Sequence, residues 1–306
     1  MIRSGLIVAL LLWTGSAAAA AEDLDSSYQS LQEAVAKKDA ELVKKLAAQT
    51  VVVARQAACE TAPAGNDADE QTAWKKRVAY AKEVESYTEY ALYDTAVQSA
   101  PAVMIDLMST LETQNPKSKY LDEGYGAYLV ALAKNGSEAK VLPLAEKAIA
   151  NLPQNPDLLL VLMENAMTRK QTDRALGFGN RLVAAAGKRA KPEGEAEADW
   201  DRSRNTWLGH GYWTVGSISA EKGLYAAADK SLRAALPLVK GDDYRTGVAL
   251  FYLGVANYQV GKATLDKKKV LEAAQFSDEA AKFNTPVQHQ AWANAQLMRT
   301  DASKMR

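Results

Sequence analysis

Two glycine pairs with the same spacing, Gly216/Gly223 and Gly254/Gly261, constrain this chain more than any other feature. Glycine is the poorest helix former after proline, so its regular return inside otherwise helical sequence needs a structural reason. The residues after the first pair supply one. Ala228, Leu232 and Ala235 follow at spacings of four and three, placing small, large and small side chains on one face of a second helix. Gly216 then lets two helices approach closely, and Gly223 takes the tight turn between them. The expected unit is a helix, a turn, and a second helix lying back on the first.

The unit recurs along the chain. After Leu250-Phe251-Tyr252-Leu253, Gly254 and Gly261 repeat the first half, Lys262 to Lys269 look inserted, and either Ala273 or Ala274 is the small packing residue. Working backwards, Gly136 falls at the turn of a unit starting near Asp122, closed by Ala148-Ile149 and Pro153. The next unit starts near Pro156-Asp157, with Ala175 at its small position. An earlier unit spans about 85–116, where Ser99 replaces the turn glycine. The starts at 85, 122, 156, 209 and 247 give spacings of 37, 34, 53 and 38, and the long interval holds an insertion loop at about 187–203. With its helix glycine, its turn glycine, Tyr225 after the turn and its small–large–small second helix, the unit near Gly209 resembles the tetratricopeptide repeat family. That resemblance implies an all-α fold, a right-handed α-solenoid of stacked antiparallel helix pairs.

The flanks extend the same pattern. Residues 22–60 read as a helical hairpin turning near Lys37-Lys38-Asp39, with Leu31, Val35, Leu42, Val43 and Leu46 on its apolar side. Residues 61–70, with Pro63 and Gly65, read as a linker to a repeat domain over 71–306. Residues 71–99 form one long helix or two, and Pro286 opens a capping helix over about 286–300. Residues 1–21 read as a signal peptide: Arg3, the apolar run Leu6 to Trp13, then Ala17 to Ala21. The run is short for a membrane span, so an exported protein with no stable membrane insertion is expected, periplasmic or secreted and bacterial. Cys59 is the only cysteine, which excludes an internal disulfide, and it is expected on the buried face of a helix over 51–59.

Chemistry is thinly supplied. Lysine plus arginine (37) equal aspartate plus glutamate (37), so there is no basic excess for nucleic acid. His210 and His289 are far apart, and His210 has no evident partner for acid–base work. Gly177-Phe178-Gly179 lacks a preceding strand and a third glycine, so it is no nucleotide loop. The acidic run Glu193, Glu195, Glu197, Asp199 and Asp201 lacks calcium-loop spacing and follows Lys188, Arg189 and Lys191, which balance it. The expectation is no catalytic residue, no metal and no cofactor.

In the implied solenoid the first helices of each pair line a concave face. The groove candidates are His210, Trp213 and Ser217; Phe251, Val255 and Tyr258; and Leu160, Glu164 and Met167. Glu123, Lys134, Glu89 and Tyr93 continue the face toward the N-terminus. Trp213 and Phe251 serve either as ligand anchors or as interhelix core. Trp200 and Trp207 either fold the insertion down or line the groove mouth. Tyr80, Tyr87, Tyr90 and Tyr93 read as an amphipathic packing face. The expected function is an adaptor or scaffold holding a peptide or partner protein. The alternatives are a self-associating structural subunit of a cell-envelope complex and, third, an enzyme acting on cell-wall material.

Overall fold

The computed structural model of the protein describes residues 12–65, 67–192 and 194–305. Among them the chain is all-helical, with thirteen α-helices and one short 3₁₀ turn. Residues 1–11 of the expected leader lie outside the described residues, and 12–21 belong to the first helix. No helix among the described residues is long and apolar enough to cross a membrane. The chain divides into two compact units, Met1–Val141 and Leu142–Arg306.

Unit 1 holds α1 (Leu12–Ala36), α2 (Ala40–Ala58), α3 (Ala68–Val97), α4 (Pro101–Gln114), α5 (Lys119–Lys134) and the 3₁₀ turn (Glu138–Lys140). Each helix packs on the next, and α1 and α5 also touch α3. The expected hairpin is therefore α1 and α2, with Leu31 and Val43 buried and Val35, Leu42 and Leu46 half-buried. Residues 71–99 resolve as the single helix α3, started by Asp67, whose carboxylate accepts from the Asp69 N–H at 2.9 Å. Cys59 departs from expectation. The buried stripe of α2 runs Val43, Ala47, Val51, Ala54, and the helix ends at Ala58, leaving Cys59 exposed at its C-cap.

Unit 2 follows from α6 (Val141–Ala148), which starts at the boundary, through α7 (Pro156–Thr168), α8 (Thr172–Lys188), α9 (Glu197–Glu221), α10 (Tyr225–Ala235), α11 (Asp243–Ala263), α12 (Lys267–Ala280) and α13 (Gln288–Lys304). From α7 onward successive helices pack in pairs, and the odd-numbered α7, α9, α11 and α13 also touch in sequence. The even-numbered α8, α10 and α12 touch only their neighbours in sequence. The insertion is shorter than expected, because 197–203 are already the opening turns of α9.

One turn recurs at five junctions: Lys38-Asp39, Gly136-Ser137, Lys170-Gln171, Gly223-Leu224 and Leu265-Asp266. The first residue of each is left-handed, with φ from 55° to 74°. The N–H of the second reaches back five residues, as in Leu224 N to Ser219 O at 2.8 Å and Asp266 N to Gly261 O at 2.8 Å. Gly136 and Gly223 thus stand where a left-handed residue is needed. Gly261 does not. It lies within α11, where an added β-carbon would sit 2.9 Å from Val270 Cγ2, and the helix runs one turn further before Leu265 makes the bend. The stretch Lys262 to Lys269 is thus divided between the end of α11, the turn and the start of α12. Close approach governs Gly216 and Gly254 instead. A β-carbon on Gly216 would meet Leu232 Cγ at 2.5 Å, and one on Gly254 would overlap Ser277 and lie 3.1 Å from the Ala273 carbonyl. Ala273 and Ala274 are both buried. The Gly177-Phe178-Gly179 run contributes to a helix crossing, since a β-carbon on Gly211 of α9 would sit 3.5 Å from the Gly179 carbonyl.

Candidate functional site

The odd-numbered helices of unit 2 carry a polar cluster near the expected groove. Asn155 starts α7 by accepting from the Leu158 N–H at 3.0 Å, and Pro156 occupies the first helical position. Leu158, Leu159, Leu162, Met163 and Ala166 then face inward, which leaves Glu164 exposed on the opposite side. On α9, Trp207, Trp213 and Thr214 are buried, while His210 is half-buried between them. Asp242 starts α11 by accepting from the Arg245 N–H at 2.8 Å, and this cap fixes where Arg245 points.

Three helices meet at Glu164. Its Oε1 lies 2.9 Å from His210 Nδ1 and 3.4 Å from Arg245 Nη2. Arg245 Nη1 lies 2.6 Å from Asp242 Oδ2. Trp213 closes the cluster by donating its indole N–H to the Arg245 carbonyl at 2.9 Å, with the Arg245 guanidinium 5.8 Å from its ring. Tyr244 adds a ring 6.2 Å from that of Trp213 and is 52% exposed, so aromatic surface remains open beside the charges. The His210 hydrogen bond, reinforced by the charges of His210 and Arg245 against a burial cost, holds the Glu164 carboxyl below its ordinary range. Burial opposes ionisation of Asp242, but the Arg245 N–H and guanidinium outweigh it and lower that carboxyl too. With Glu164 ionised, His210 Nδ1 donates to it. The cluster can therefore offer carboxylate acceptors, guanidinium donors and an aromatic face to a bound chain.

The other expected groove residues divide by burial. Phe251 packs with Leu250, Ala280 and Ala291, and half-buried Val255 joins that cluster. Ser217 is 3% exposed, and its hydroxyl has no hydrogen-bond partner. Leu160 leans on the Leu159–Leu182 core, and Met167 packs against Ala166 and Ile218. Tyr258 donates to Asp301 of α13 at 2.5 Å. In unit 1, Glu89 is buried and accepts from Asn115 at 2.7 Å, while Glu123 and Lys134 are exposed and Tyr93 is half-buried. Trp200 and Trp207 pack edge to face inside the α7–α8–α9 core, and the Trp207 indole donates to Asp157 at 2.9 Å. They anchor the start of α9 rather than forming a mouth. Lys191 and Arg202 pair with Glu197 and Asp199 in the acidic run.

The structure thus brings together Glu164, His210 and Trp213 and adds three residues that the sequence reading passed over: Asp242, Tyr244 and Arg245. The missing partner of His210 is Glu164, which lies on another helix. The signal for Arg245 was available, because Asp242-x-x-Arg245 is an N-cap aspartate followed by an arginine one turn on. No protein-family model matches the chain, and the curated proteins contain no match.

Proposed function

We propose that the protein is an exported adaptor that holds an extended peptide, or a helix of a partner protein, on the odd-numbered helices of unit 2. The carrying observation is the cluster of Glu164, His210, Asp242 and Arg245 beside the exposed Tyr244 ring. It combines both hydrogen-bonding senses with an aromatic anchor, the mixture that concentrates binding energy at protein interfaces. In this reading the helix pairs stack as a right-handed, tetratricopeptide-like solenoid. The recurring left-handed turn, the Gly216–Leu232 approach and the mutual contact of the odd-numbered helices support it. Binding rather than catalysis is favoured because each carboxylate is held by partners within the cluster, Glu164 by His210 and Arg245 and Asp242 by Arg245. Export rests on Arg3, the apolar run after it and the alanines before Glu22.

The test is crosslinking in the native cell envelope, with identification of what co-purifies, beside a Glu164→Gln/Tyr244→Ala variant whose circular dichroism matches the native chain and whose melting remains cooperative. One partner captured by the native form and lost with the variant is the expected result. Equal capture by both overturns the assignment to this face. Recovery of the chain's own copies alone selects instead a self-assembling structural subunit. The exposure of Trp292, 61% on the last helix, favours that second reading.

A further inference from the structure

The turn between α11 and α12 departs from the four like it. Its left-handed residue is Leu265, with φ of 55°, where the equivalent positions hold Lys38, Gly136, Lys170 and Gly223. The Leu265 side chain is 80% exposed, more than any other large apolar side chain among the described residues. A leucine there gains no burial and adds the strain of a β-carbon in a left-handed residue. Leu271, 41% exposed, continues the apolar surface one turn into α12.

The charges beside it work against the fold as well. Lys267, Lys268 and Lys269 fill the first turn of α12, which holds no acidic residue. Cations at a helix N-terminus oppose the macrodipole, so these three cost stability locally. None pairs with a carboxylate among the described residues. The Lys267 ammonium donates to the Met305 carbonyl at 3.0 Å, that of Lys269 to Asn257 Oδ1 at 3.2 Å, and Lys268 is exposed. The nearby carboxylates are already engaged. Asp266 caps α12 through the Lys269 N–H, Asp301 accepts from Tyr258 and Lys262, Glu272 holds Arg233, and Asp278 holds Arg299. With the ion pairs set aside, the surplus at this end of unit 2 is three ammoniums around a protruding leucine. Lys262 and Lys304, by contrast, sit in the last turns of α11 and α13, where a cation suits the dipole.

We propose that this end of unit 2 docks reversibly on an anionic lipid bilayer surface. Leu265, followed by Leu271, enters the headgroup boundary, and Lys267, Lys268 and Lys269 meet the lipid phosphates. A bilayer fits better than another polyanion. The apex is a turn that projects from the helix ends, and it offers leucine where a nucleic-acid groove would offer rings to stack on. Its cations are all lysine, point charges without the bidentate fork that recognises an ordered carboxylate. The site shares no residue with the Glu164–Arg245 cluster, so it stands or falls separately from the function proposed above.

The test is co-flotation of the full chain with vesicles of phosphatidylglycerol and phosphatidylcholine, beside vesicles of phosphatidylcholine alone. The apolar run Leu6 to Trp13 is common to every variant, so binding to the neutral vesicles sets the baseline. The expected result is stronger binding to the anionic vesicles, lost as salt rises and weakened roughly tenfold or more in Lys267→Gln/Lys268→Gln. Leu265→Gly separates docking from folding. It relaxes the turn, so the variant melts no lower than the native chain, yet its binding to anionic vesicles falls roughly tenfold. Glu164→Gln binds the vesicles as the native chain does. Equal binding to both kinds of vesicle, or unchanged binding in either turn variant, overturns the proposal. Binding of labelled polyglutamate in place of the vesicles overturns it in favour of an acidic protein partner.

Discussion

Gly216 offers the sharpest test of how the helix pairs are held. In Gly216→Ala the new β-carbon would lie 2.5 Å from Leu232 Cγ, 2.8 Å from its Cδ2 and 3.0 Å from its backbone nitrogen. Leu232 is fully buried among Ala228, Val248 and Leu253, so its side chain has no space to retreat into. Relief must come from moving α10 away from α9. Overpacking of this kind costs about 1–3 kcal/mol. Alanine returns about 1 kcal/mol through its better helix propensity. The net loss is then up to about 2 kcal/mol, which lowers the melting temperature of a domain this size by up to roughly 8 °C. The control is Gly177→Ala in α8, where a β-carbon meets nothing within 4 Å and only the helix-propensity gain remains. Differential scanning calorimetry of both variants reads the two signs, down for Gly216→Ala and up for Gly177→Ala. If Gly216→Ala melts as high as Gly177→Ala, the close-approach explanation of the glycine pattern is wrong.

Three further outcomes follow from the geometry. Gly223→Ala forces a β-carbon into a residue with φ of 74° and costs about 1 kcal/mol or more; Leu265→Gly relieves the same strain at an 80% exposed side chain, so chemical denaturation should move in opposite directions for the two. The Glu164 and Asp242 carboxyls are held below their ordinary range, so the stability they add is present at neutral pH and lost as pH falls through those lowered values, below about pH 4. Acid titration of unfolding should show a smaller loss in Glu164→Gln, and parallel curves would refute the coupling. Cys59 is exposed, so a thiol reagent should label it fully in the native state; a requirement for denaturant would place it back on the buried face.

The helix pairs were legible because their signals are local. Gly136 and Gly223 mark turns through a backbone conformation that glycine adopts without strain, and Gly216 marks a crossing through a volume constraint. Gly261 was misread because the same residue type serves both purposes; only the later packing of Val270 against it distinguishes a crossing from a turn. Lys38, Lys170 and Leu265 make the same left-handed bend with no glycine to announce it. Cys59 failed for a different reason: apolar periodicity says which face is buried but not that the helix stops one residue earlier. The polar cluster was half legible. Helical spacing could place Glu164 and His210 on first helices, but their 2.9 Å contact depends on how α7 and α9 pack, which no local pattern encodes. Phe251 shows the converse, a groove candidate by spacing that the crossing of α11, α12 and α13 turns into core.

In the proposed function a partner lies on the odd-numbered helices of unit 2. A photo-crosslinking amino acid placed singly at Tyr244, at Glu164, or at the exposed Gln275 of α12 tests it in the native host. The expected result is the same protein adduct from the first two positions and none from Gln275. Adducts from Gln275 alone, or from no position while the chain remains folded, would contradict it.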